Sequence, residues 1–146
     1  MTSISFTVPG RPEPQRRPRF ARHGTHVMTH SDPKDLIYAD RIRWAWREAG
    51  GGYLEGPLEL SVAAYFQRPK SHTSPRTLEY TTAGLVDEWV TKKPDLSNII
   101  KAVEDSLNGL AFSDDSKIVR YGEVFKKWAP SQSDGWLEVK ISEMEL

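Results

Sequence analysis

The stretch Pro94-Asp95-Leu96-Ser97-Asn98-Ile99-Ile100-Lys101-Ala102-Val103-Glu104-Asp105-Ser106-Leu107-Asn108-Gly109 decides the reading of this chain, because one amphipathic helix carries a row of oxygen-bearing side chains along its border. At about 100° per residue, Leu96, Ile99, Ile100, Val103 and Leu107 fall within roughly one third of the circumference and face a core. Asp95, Asn98, Ala102 and Asp105 border that face, with Lys101 just beyond them. Ser97 and Glu104 project to a common, more outward side. Asn108-Gly109 stops the helix, and Asp114-Asp115-Ser116 forms a turn after a brief link over Ala111 to Ser113.

Working outward, Ile4, Phe6 and Val8 alternate with Ser3, Ser5 and Thr7, the pattern of a strand with one buried face. Pro9-Gly10 ends it. Segment 9–30 holds Pro12, Pro14 and Pro18 among arginines and reads as an extended, semi-rigid arm with few internal hydrogen bonds. Ser31-Asp32-Pro33 starts a helix running to Ala49, closed by Gly50-Gly51-Gly52. Its tryptophans, Trp44 and Trp46, cannot share a helical face, so one belongs to a core or an interface.

Leu58, Leu60, Val62, Ala64 and Phe66 mark a second strand, with Glu59, Ser61, Ala63 and Tyr65 on its other side. A long polar excursion follows at 67–91, with a short helix near Leu85 to Trp89. After the second helix, Lys117 to Trp128 and Trp136 to Ile141 read as two strands forming an antiparallel pair. Strand, helix, strand, helix, strand, strand implies one α/β domain over 1–146, a small mixed sheet with two main helices.

Length agrees with this: 146 residues build one substantial core. The composition is that of a soluble globular protein, and no run of about 18 apolar residues exists to span a membrane. The opening MTSISFTV lacks the basic and apolar regions of a secretory leader. With no cysteine, disulfide and thiolate chemistry are excluded and a cytoplasmic protein is indicated. Four histidines without cysteine partners argue against structural zinc.

The net charge is zero, which argues against binding nucleic acid through a bulk positive field. The local distribution is another matter. Arg11, Arg16, Arg17, Arg19 and Arg22 concentrate positive charge in the arm, where they suit DNA phosphates, whereas acidic residues predominate from Asp105 to Asp115. Mg²⁺ takes oxygen ligands, often one or two carboxylates completed by water and phosphate. Asp95 and Asp105 lie about 15 Å apart along the helix axis and cannot share one ion. The Asp114-Asp115 turn can fold back toward either end. Ordinary explanations stand beside this one: Asp95 as a helix cap, Lys101 and Asp105 as an i,i+4 surface pair, and Asp114-Asp115 as a plain turn.

With these residues in place, the sequence resembles the RusA family of Holliday-junction resolvases, small endonucleases often carried by phages. The resemblance rests on the opening strand, the Gly-x-Pro-x-Pro-x-x-Arg-Pro-Arg segment at 10–19, PDLSNIIKAVEDSLNG at 94–109 and SDDSKIV at 113–119. It implies a small mixed α/β fold that dimerises and cuts four-way junctions with Mg²⁺, Mn²⁺ substituting, in recombination and repair. It also implies a location in the host cytoplasm if phage-encoded, and 5′-phosphate and 3′-hydroxyl products. Asp95, Lys101 and Asp115 are the catalytic residues so implied. Asp95 with Asp115 is the preferred metal pair, Asp105 and Asp114 are further candidates, and Asn98 is supporting. The family pattern Asp-x-Asp-Asn reads Asp95-Leu96-Ser97-Asn98 here, so Ser97 offers a neutral oxygen where a carboxylate is usual. A branched-DNA-binding protein without turnover is the alternative that this departure leaves open.

Overall fold

The computed structural model describes residues 2–16, 19–30, 32–72, 88–130 and 133–145. A four-stranded sheet is built from β1 (Ser3–Pro9), β4 (Leu58–Phe66), β5 (Ile118–Trp128) and β6 (Gly135–Glu143) in the order β1-β6-β4-β5. Helices α1 (Pro33–Glu48) and α2 (Leu96–Leu107) pack together over one face of it. β4 alternates fully buried and half-buried residues along its whole length, and Leu58, Leu60, Val62, Ala64 and Phe66 all point into the core. That apolar side explains its central place, between β6 antiparallel and β5 parallel.

This order corrects the expected β5–β6 pair. The two strands are not neighbours, because β4 lies between them. A parallel β4–β5 pair needs a crossover, and the connection carrying α2 supplies it. β5 has exposed residues from Val119 to Glu123 and accordingly takes an edge, along which Glu88 to Val90 add two backbone hydrogen bonds, Val90 N to Lys126 O at 3.2 Å and Trp128 N to Glu88 O at 2.8 Å. β1 forms the other edge, paired to β6 from Ser3↔Ser142 to Pro9↔Trp136.

Asp32 caps α1, its side chain accepting from the backbone N–H of Lys34. Tyr38, Ile42 and Trp46, spaced by four, form the buried stripe. Trp46 is the core tryptophan, edge-on to Phe6 at 6.1 Å between ring centroids, whereas Trp44 is exposed. Gly51 lies flat against the Trp46 indole, where any Cβ would collide with the ring. On α2, Ile99, Val103 and Leu107 are buried as the wheel requires, with Ile100 packed partly against them. Ala102 and Ser106 are buried too, and the Ser106 hydroxyl donates to the Ala102 carbonyl. The buried arc is therefore wider than the apolar residues alone suggest.

The arm reading is corrected in its second half. Arg19–His23 (β2) and His26–His30 (β3) form a two-stranded antiparallel hairpin, with Gly24 at φ 62° in the turn. Glycine adopts that conformation without steric cost. Within the excursion at 67–91, Lys70–His72 forms a 3-10 turn and buried Arg68 donates from Nε to the Ala129 carbonyl at 3.0 Å. Most of the helix expected near Leu85 to Trp89 lies outside the described residues; Trp89 itself bridges Lys127 in antiparallel fashion.

Candidate nuclease site

The start of α2 is set by a turn that its neighbours hold in place. Lys126 extends from β5 on the helix-facing side, where its register partner is Ala64, and its ammonium donates to two carbonyls, Lys92 O at 2.8 Å and Pro94 O at 2.9 Å. From the other side, the backbone N–H of Gln15 donates to the Asn98 carbonyl at 2.9 Å. Asp95 occupies the N-cap position at φ −67°, ψ 138°, yet its carboxylate makes no capping hydrogen bond. Helix capping therefore does not account for this aspartate, whose oxygens are exposed beside the positive end of the helix. Asp95, Ser97 and Asn98 line one cleft of about 520 Å³ together with Pro14, Gln15, Arg16, Lys93 and Pro94.

A second group lies farther along α2. The Tyr121 hydroxyl, from β5, donates to the Glu104 carboxylate. Burial pushes the Glu104 carboxyl above the usual range, the Tyr121 bond opposes that rise, and the charges of Asp115 and Asp105 add to it. Asp105 is also raised by burial, with Lys101 lowering it and Asp115 raising it. Tyr121 is pushed up to about 12, first by its bond to Glu104. Asp115, at the start of a 3-10 turn (Asp115–Lys117), thus faces the Glu104–Asp105 part of the helix. Asp114 is occupied differently: its side chain accepts from the Ser116 N–H at 3.2 Å, and the Ser116 side chain first, with that backbone bond second, holds its pKa below the ordinary value.

On α2, Asp95 thus stands at the mouth, while Glu104 and Asp105 lie about 13 and about 15 Å farther along the axis, with Asp115 near enough to both to raise their pKa values. Among the described residues, no three His, Asp or Glu side chains gather as a ready-made metal cage. Asp95 with the neutral oxygens of Ser97 and Asn98 does suit an ion such as Mg²⁺, which takes few carboxylates and keeps several waters. Lys101 is exposed on the same helix.

The arginines take different places. Arg16 is held by three carboxylates: Glu13 at 2.8 Å, Asp35, and Asp32 at 3.8 Å. Its pKa is raised, chiefly by the hydrogen bond to Glu13 and against the effect of burial, with Asp35 adding to the rise. Arg11 stacks over the Phe66 ring at 5.9 Å. Arg22 is exposed in β2, Arg17 lies outside the described residues, and of Arg19 only the backbone is described. Sequence reasoning missed Lys126 and Tyr121. Lys126 had a signal, since a lysine at the inward parity of β5, between Val124 and Trp128, must reach a buried acceptor or a charge.

Comparison with known proteins gives the same direction. The family described as Endodeoxyribonuclease RusA matches residues 9–142. An uncharacterized protein of Bacillus subtilis (strain 168), YqaN, is 33% identical over 121 residues, covering 82% of this chain and 84% of that protein.

Proposed function

We propose, from the fact that the chain belongs to the Endodeoxyribonuclease RusA family, that it is a divalent-metal-dependent endonuclease that resolves four-way DNA junctions by paired hydrolysis of phosphodiesters. The observation that carries this reading is the Asp95 carboxylate: exposed at the mouth of α2, unused in capping, and beside two further oxygen donors in one cleft.

Mg²⁺, if bound in this cleft, would supply polarisation of a phosphate ester and acidify water. Asp95 would hold it at the mouth of α2, and Asp115, reaching from the Glu104–Asp105 side, would be the second carboxylate, with Asp105 and Asp114 as further candidates and Ser97 and Asn98 as supporting oxygens. Lys101 neutralises charge that develops on the phosphate. Arg11, Arg17, Arg19 and Arg22, with exposed Lys93, bind the DNA backbone and set its register without reading sequence. Two symmetric cuts require two such sites, so the working form is a homodimer.

A second reading rests on one residue. Ser97 stands where the family pattern has aspartate, and a serine hydroxyl brings no charge to the ion, which favours a junction-binding protein without turnover. Purified protein offered a synthetic four-way junction separates the two. Paired nicks in Mg²⁺ that vanish with EDTA, and that Asp95→Asn and Asp115→Asn each abolish without loss of binding, support the nuclease. Binding without cleavage in both Mg²⁺ and Mn²⁺, with cutting gained on Ser97→Asp, supports the second reading.

A further inference from the structure

We infer that Arg16 is the clasp of a strap that seats the first turn of α2, and is thus a positioning residue for the cleft at Asp95 and not a phosphate ligand. The inference builds on the reading of that cleft as the nuclease site.

Four contacts define the strap. The Arg16 backbone N–H donates to Asp35 Oδ2 at 2.8 Å, and its Nη1 donates to the other oxygen of the same carboxylate. Nη2 donates to Glu13 Oε2 at 2.8 Å. One residue before it, the Gln15 N–H donates to the Asn98 carbonyl at 2.9 Å. Residues 13–16 therefore tie the first turn of α1, where Asp35 lies, to the first turn of α2, where Asn98 lies.

The electrostatics fix the direction of the argument. The Asp35 side chain is only 4% exposed, and a buried carboxylate without a compensating partner is strongly unfavourable. Arg16 supplies both its charge partner and one of its backbone donors. If the guanidinium left for a DNA phosphate, Asp35 would remain buried and unpaired, and the strap would lose its anchor on α1. The three surrounding carboxylates, Glu13, Asp32 and Asp35, also repel an incoming phosphate. A planar fork is needed to reach Asp35 and Glu13 together, which lysine cannot do.

The test compares Arg16→Gln, Arg16→Lys and Asp35→Asn with the wild-type chain in two measurements. The first is hydrogen exchange by mass spectrometry on peptides covering 95–101, with peptides of β4 and β6 as internal controls. The second is junction affinity against salt concentration. The strap predicts that all three variants speed exchange in the α2 first turn about tenfold relative to the controls, that lysine fails to rescue, and that the salt slope stays at the wild-type value. A phosphate ligand gives the opposite: unchanged exchange at α2, a slope about 0.9 shallower for Arg16→Gln, affinity restored by lysine, and Asp35→Asn binding as well as wild type or better. That set overturns the inference, as does exchange that rises equally in every peptide. Should the Asp35 variant fail to fold, Glu13→Gln loosens the clasp more gently and must open the same peptide selectively. Exchange needs no cleavage, so an inactive wild-type protein would sink the nuclease reading while the strap is still decided.

Discussion

Lys126→Met is expected to lower both stability and cleavage, and the two effects have separate origins. Methionine keeps most of the apolar stem but removes the ammonium that donates to Lys92 O and Pro94 O. A hydrogen bond from a charged donor contributes about 1.5–3 kcal/mol when sheltered. The bond to Lys92 is solvent-exposed and the bond to Pro94 only partly buried, so water replaces much of what is lost. About 1–2 kcal/mol in total is the reasonable expectation, or a fall in Tm of roughly 3–8 °C for a chain of this length. The loosened turn is the one that presents Asp95, and displacement of a catalytic group by about 1 Å costs up to about 100-fold in rate. Single-turnover cleavage at saturating junction should therefore fall about 10- to 100-fold with little change in affinity. Calorimetry and quenched-flow cleavage check the two halves. A Tm within about 1 °C of wild type refutes the energetic argument, and a lowered Tm with an unchanged rate refutes the claim that Lys126 positions Asp95.

Gly51→Ala should destabilise by about 1–3 kcal/mol, because its Cβ runs into the buried Trp46 ring, whereas Gly52→Ala, with nothing within 4 Å, should stay near wild type; equal urea midpoints for the two would contradict the packing described. Glu104 has a raised pKa, so the folded chain holds that proton more tightly than the unfolded chain, and ionisation costs stability as pH rises from the ordinary glutamate value of about 4.3 through the raised one. Glu104→Gln keeps an acceptor for Tyr121 and removes the cost. Its Tm relative to wild type should become more favourable as pH rises from about 4 to about 7, and a constant or opposite difference counts against the burial of that carboxyl.

The parts of the fold legible in the sequence are those set by local pattern. β1 and β4 show their buried faces as plain alternation, Asp32-Pro33 marks the start of α1, and the spacing of Ile99, Val103 and Leu107 orients α2. Strand order was not legible, since β5 and β6 each carry an apolar side and only the stronger burial of β4 decides that it separates them. The hairpin at 19–30 was hidden by proline and arginine, which signal an extended chain more loudly than one glycine signals a turn. At the site, Asp95, Ser97 and Asn98 were readable as neighbours because one helical turn joins them. The contacts that hold Arg16 and the turn before Asp95 were not, because Asp35 reaches Arg16 from α1 and Lys126 reaches the Lys92 and Pro94 carbonyls from β5.

If the mouth of α2 holds the ion that the proposed nuclease reaction needs, Mn²⁺ soaked into crystals of the protein gives its anomalous signal there. A peak is expected at the Asp95 carboxylate, with Asp115 as its second carboxylate, Ser97 or Asn98 in its outer sphere, and is expected to vanish in Asp95→Asn. A peak elsewhere, or none in well-ordered crystals at saturating Mn²⁺, contradicts this reading.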